Sequence, residues 1–164
     1  MLHITYGSTG TFYVTTEEKR IDTSVASSKI RLLFKFTNDM DKREVYAYGQ
    51  SQVHNDSTRT YQRSTKVTIG HHATENVFTG KVNFKPFGYW KYQIYEVSWI
   101  GTVSLTEETA PSNEDEVLAV SNNNGVVKGL VETGKLYVTE TAGSEQITYT
   151  EHPEPSGTNY IWTN

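Results

Sequence analysis

Glu96, in GYWKYQIYE (88–96), and Glu132, in GLVETGK (129–135), are the residues in this chain best suited to acid–base chemistry. Hydrolysis of a glycosidic bond needs two carboxyl groups facing each other across a cleft. One protonates the leaving oxygen; the other attacks or activates water. The alternation of Trp90, Tyr92 and Ile94 carries Glu96 to the end of an apolar face, and a carboxylate at the end of a neighbouring strand would complete such a pair. The plainer reading, which the sequence favours, has Glu96 leaving the core at the rim of a sheet and Glu132 binding backbone amides in a turn. No catalytic residue is therefore assigned, and the chain is expected not to be an enzyme.

Other chemistries find less support. The five histidines are His3, His54, His71, His72 and His152. Neither H-x-H nor H-E-x-x-H spacing occurs, and adjacent residues of an extended strand point to opposite faces, so His71 and His72 do not readily share a metal. No metal and no cofactor is expected. The nucleophile pattern G-x-S-x-G is absent, and SNNNGVVKG (121–129) has glycines but no Walker lysine–serine pair, so NNNG reads as a turn. Cysteine is absent, which removes disulfides and thiol catalysis together.

A second group of residues could bind rather than react. In GYWKYQIYE, Trp90, Tyr92 and Ile94 share one strand face, and Tyr89, Lys91, Gln93 and Tyr95 share the other. Tyr89 and Tyr95, with Tyr46 and Tyr48 on a neighbouring strand and Trp99 nearby, would give an aromatic outer face. Such a face stacks on sugars, packs against a protein partner, or is shielded by a long loop. These five residues are the candidate interface.

The elements that must position these residues are strands. Threonine is the commonest residue, at 23 of 164, and valine and tyrosine are frequent. KIRLLFKF (29–36) alternates, with Ile30, Leu32, Phe34 and Phe36 on one face and Arg31 and Lys35 on the other; with EVYAYG (44–49) it predicts a hairpin over 29–49. Further strands are predicted at 59–70, 76–84 (Val82 and Phe84 sharing a face), 135–140, 146–151 and 159–163, with TAGS (141–144) as a tight connection. EEKRI (17–21) suits one helical turn, and SNEDEVLAV (112–120) a second, with Ser112 as its cap. The acidic TEETAPSNEDE (106–116) reads as an inserted loop, solvated or meeting a partner. The expected fold is one all-β domain over 1–164, a single antiparallel sandwich of roughly eight to ten short strands, immunoglobulin-like or jelly-roll-like.

Net charge is −4, which gives no support to nucleic-acid or anionic-membrane binding. MLHITYGSTG has no basic segment followed by an apolar run, so no signal peptide is expected. No apolar stretch approaches the roughly 18 residues that a membrane-spanning helix requires.

Four segments together carry a resemblance: MLHITYG at the start, LLFKFTNDMDKREVYAY (32–48), GYWKYQIYE (88–96) and GLVETGKLYV (129–138). In this order and at similar spacing they resemble a family of small virion-associated proteins of tailed bacteriophages, from phages of Bacteroidetes and marine bacteria. The family pattern opens like M-L-H-I-x-K-G and continues with F-x-F-T-N-D, G-x-W-x-Y-x-I-Y-E-Q and L-V-E-x-G-x-x-x-V. The chain departs from it at Tyr6, where the pattern has lysine, and at Val97, where it has glutamine. Segment 106–116 looks like an insertion. The resemblance implies a non-enzymatic structural protein assembled in the host bacterial cytoplasm. The motifs do not fix its place in the virion; the expected place is the head, as capsid decoration or at the head–tail junction, in multiple copies contacting other virion proteins such as the major capsid or neck and tail proteins. The alternative is a glycan- or receptor-binding module of a tail or head fibre.

Overall fold

The computed structural model describes residues 1–53 and 63–141. Nine strands lie among them: β1 (Leu2–Thr5), β2 (Thr9–Val14), β3 (Ile30–Asn38), β4 (Glu44–Tyr48), β5 (Gln50–Val53), β6 (Thr65–His71), β7 (Lys81–Val82), β8 (Gly88–Ser98) and β9 (Val126–Thr139). They form two packed sheets, of order β1-β9-β8-β3-β4 and β2-β6-β5, with β7 beside β6. The all-β sandwich is as the sequence predicts, and GYWKYQIYE is the core of the central strand of the larger sheet.

The strand order resolves the two forms of sandwich. Taken as B-E-D, the order β2-β6-β5 matches one sheet of an immunoglobulin-type sandwich; taken as G-F-C-C′, the order β9-β8-β3-β4 matches the other, in its variable form. Pairing is antiparallel except where β1 runs parallel to β9 and β7 parallel to β6. The expectation of a purely antiparallel fold is corrected at those two pairs.

The core lies between the sheets. Leu32, Phe34 and Phe36 of β3, Trp90, Tyr92 and Ile94 of β8, and Leu136 and Val138 of β9 face Phe12, Val14, Val67 and Ile69 of the smaller sheet. The hairpin and the alternation of β3 fall as the sequence predicts. The predicted strand over 76–84 does not. Val77–Thr79 forms a 3-10 turn, capped by Asn76 Oδ1 accepting from Phe78 N and Thr79 N, and only Lys81–Val82 pairs as a strand. The capping side chain supplies locally the hydrogen bonds a ladder would otherwise give. Val82 and Phe84 are nevertheless both buried in the core. Glu17–Lys19 makes the predicted helical turn. Residues 112–120 do not, because Glu116 reaches back to accept from both Ser112 N (2.7 Å) and Ser112 Oγ, closing a side-chain-bonded turn. The expectations for 59–62, 142–144, 146–151 and 159–163 lie outside the described residues.

Two irregularities of β9 set the side chains that matter below. Its register against β8 shifts between Ile94 and Tyr95 and again between Glu96 and Val97, so Val131 and Lys128 are the extra residues of two bulges. A bulge re-aims the side chains beside it. Here Val131 joins the core while Glu132, opposite Ile94, also faces inward. Gly134 lies opposite Tyr92, and a Cβ there would come within 2.6 Å of the Tyr92 ring; the missing side chain lets the phenol lie across β9.

Candidate functional site

Glu96 and Glu132 both sit on the inner face of the larger sheet, near the end where the sandwich opens toward the β2–β3 connection (15–29). Glu96 is buried, at 1% exposure. Its Oε2 accepts from Ile21 N at 3.0 Å and its Oε1 from Asp22 N at 2.7 Å. Glu132 Oε2 accepts from Thr15 N (2.7 Å) and Thr15 Oγ1 (3.0 Å), and its Oε1 from Tyr92 Oη (2.9 Å). All four carboxylate oxygens thus accept hydrogen bonds from the chain itself, and the two residues tether both ends of segment 15–22. The sequence placed Glu132 in a turn; it lies instead within β9, and its amide partner comes from a segment remote in sequence. Burial, followed by the Glu132 carboxylate at its hydroxyl, pushes the Tyr92 phenol well above its ordinary range.

Beside them, Asp22 ties the connection to both strands. Its Oδ1 accepts from Ser24 N and Ser24 Oγ, its Oδ2 accepts from Ser98 Oγ at 2.9 Å, and Lys128 Nζ lies 3.2 Å away. The hydroxyls of Ser24 and Ser98 hold this carboxyl far below the usual carboxylate range.

The outer face of the larger sheet is ordered in cross-strand rows. Tyr48, Leu33, Tyr95 and Leu130 form the first, and Tyr46, Lys35, Gln93 and Thr133 the second. Glu44, Thr37, Lys91 and Lys135 form the third, and Tyr89, Tyr137 and His3 the fourth. The β8–β9 connection (99–125) folds back over the first two rows. Leu33, Tyr48, Val97, Trp99 and Ala110 form a second buried cluster there, with Tyr46, Tyr95, Val103 and Leu105 packed around it. Tyr48 Oη donates to Pro111 O (2.7 Å) and Trp99 Nε1 to Thr109 O (3.3 Å). Trp99 also lies over Gly125, where a Cβ would meet its ring at 2.5 Å.

A charge cluster pins the connection in place. Lys35 Nζ is 2.7 Å from Glu114 Oε1 and 3.0 Å from Glu44 Oε1, and lies 5.6 Å from the Tyr46 ring centroid. Burial works against the charged form of Lys35, but its bonds to Glu114 and Glu44 outweigh it and hold the ammonium well above its ordinary range. Burial likewise opposes ionisation of Glu114, and its bonds to Lys35 and Tyr46 reverse that and keep its carboxyl low. Tyr46 itself is pushed up to about 12, by burial first and by Glu114 second.

The candidate interface residues therefore separate. Tyr48 and Trp99 are fully buried beneath the chain's own connection, so the expectation that they face a neighbouring subunit is corrected. Tyr46 and Tyr95 are partly buried at its margin. Tyr89 alone stands well exposed, at 52%. The acidic segment 106–116 is a loop joining two strands and is solvated only in part: Thr106, Glu107, Glu108 and Asp115 are exposed, while Ala110 and Pro111 are buried and Glu114 is bonded inward. Sequence reasoning missed Tyr137 and His3, which complete the row of Tyr89. The signal was there in the alternation of KLYVTE and of LHIT, but pairing of β1 with β9 is a contact across the whole chain.

Among the described residues, His3, His71 and His72 do not converge on one site. His71 lies 3.8 Å, centroid to centroid, from Tyr6, and His72 Nδ1 accepts from Thr74 N. Among the described residues no group of three or more His, Asp or Glu is arranged to hold a metal ion. No helix among them is long and apolar enough to cross a membrane. No family model, curated protein or solved structure matches the chain.

Proposed function

We propose that this protein is a non-enzymatic structural component of a tailed-bacteriophage particle, head-associated, acting through contacts with other virion proteins. It decorates the capsid or sits at the head–tail junction in repeated copies. Repetition converts modest single-site affinity into stable attachment. The observation that carries the non-enzymatic half is the commitment of all four oxygens of Glu96 and Glu132 to segment 15–22 and Tyr92, which leaves neither carboxylate free for a substrate. The particle assignment rests on the resemblance of the four sequence segments. The fold by itself is neutral, since one sandwich architecture serves many unrelated functions.

Quantitative mass spectrometry of purified particles, against the major capsid protein, tests this reading. A copy number comparable to the capsid protein supports decoration, and one as low as the portal's supports the junction. Absence from washed particles contradicts the proposal. A second reading, a glycan-binding module, is favoured by one specific observation, the uncovered row of rings at Tyr89.

A further inference from the structure

The fourth outer row has a chemistry of its own. His3, Tyr137 and Tyr89 stand directly opposite one another on β1, β9 and β8. Their ring centroids are 5.9 Å apart for His3 and Tyr137 and 4.8 Å for Tyr137 and Tyr89. The three rings thus cross the sheet as one strip, at the spacing of the strands themselves. His3 and Tyr89 are exposed and Tyr137 is half-buried.

The neighbouring positions are polar. Lys91 and Lys135 face each other in the next row, with Thr37 and then Glu44 beyond Lys91. No aliphatic side chain shares these outward positions. Protein-binding patches have apolar centres within a polar rim. A strip of rings bordered by hydrogen-bonding groups instead matches a sugar, whose C–H faces stack on the electron-rich faces of aromatic rings while its hydroxyls bond at the edges.

Charge narrows the ligand. The chain is acidic overall, but Glu114, Asp115 and Glu116 lie in the covering connection, and the two acids near the open half are each paired, Glu44 of the Lys91 row with Lys35 at 3.0 Å and Asp39 beside Tyr89 with Lys135. The open half presents Lys91, which makes no ion pair with any described residue, and Lys135, paired with Asp39 at 3.1 Å. A free ammonium beside a stacking strip is complementary to a carboxylate-bearing sugar.

We propose that the His3–Tyr137–Tyr89 strip, with Lys91 at its side, binds a linear acidic saccharide of the polyuronate class. The inference rests on the glycan-binding reading and deepens it by naming the saccharide class, and it does not depend on the particle assignment.

Native gel electrophoresis of the full chain through gels containing polygalacturonate or alginate, with neutral dextran as the control, tests it. Retardation by the acidic polymers is expected. Tyr89→Ala and Tyr137→Ala should each weaken it about tenfold without altering the charge on the protein. Tyr13→Ala, which removes a 64% exposed tyrosine of the smaller sheet, should leave it unchanged. Lys91→Gln should weaken retardation and its dependence on salt. Circular dichroism checks that each variant is folded. No retardation by either acidic polymer overturns the proposal, as does equal retardation of the tyrosine variants and the parent. Capture of a purified virion protein, lost in Tyr89→Ala and Tyr137→Ala while neither polymer binds, assigns the strip to a protein neighbour and also overturns it.

Discussion

The two halves of one sheet face are built from similar residues and put to opposite uses. Around Tyr48, Leu33 and Tyr95 the aromatic face is sealed by residues 99–125, and the Tyr48 hydroxyl and the Trp99 indole N–H find partners within the chain. Around Tyr89, Tyr137 and His3 the same kind of side chain lies open. Both halves carry tyrosines, although only the sealed one also carries leucines, Leu33 and Leu130. The difference is that the β8–β9 connection is long enough to fold back over one half, and that Lys35 stands where it can grip Glu114. An aromatic outer face is therefore core where a connection reaches it and stays open to solvent where none does.

The sharpest break of the comparison is Trp99→Ala. It empties the sealed half, and loss of a fully buried indole is expected to destabilise by about 3–5 kcal/mol, read by urea denaturation. A loss below 1 kcal/mol would show that the connection does not pack as described. Glu96→Gln comes next. The amides of Ile21 and Asp22 both lose their charged acceptor, one keeping a neutral amide oxygen and the other facing an NH2 group, and a decrease of about 1.5–3 kcal/mol is expected.

Lys35→Met separates sealing from packing. It leaves Glu114 in a mostly buried place without its cation, so a cost of about 1–2 kcal/mol is expected, reduced by the remaining exposure of the pair. Tyr48 and Trp99 should then become accessible at temperatures where the sandwich is still folded. Acid should act along the same line. Asp22, Glu114 and Glu116 all have carboxyl groups held below their ordinary range, Glu116 by the Ser112 hydroxyl first. As pH falls below about 5, the unfolded chain takes up protons that the folded one does not, so stability declines until the folded groups protonate as well. A thermal midpoint that is flat from pH 8 to 6 and drops steadily from 5 to 3 is the expected profile. The smallest effect belongs to the open half: Tyr89→Ala should cost about 0.5 kcal/mol and Tyr137→Ala, half-buried between two rings, about 1 kcal/mol.

Much of this architecture was legible in the sequence because it is local. Period-two alternation in KIRLLFKF and GYWKYQIYE marks two strands, names their inner faces and places Glu96 at a rim. The three options for the outer aromatics were also readable. Which option holds at which residue was not, since it depends on where a 27-residue connection lies, and its packing is set by contacts such as Trp99 on Gly125. The bulges of β9 were equally hidden, because an extra residue in one strand is defined only against its partner. That is why Glu132 read as a turn residue rather than the inward-facing acceptor it is.

The division of the outer face can be tested directly by brief nitration of the native protein, with each tyrosine scored by mass spectrometry. Tyr89 is expected to react readily and Tyr48 to stay protected until the protein unfolds, with Tyr46 and Tyr95 between them. Equal reactivity of Tyr48 and Tyr89 in the native state would contradict the account, because residues 99–125 would then not seal the half of the sheet assigned to them.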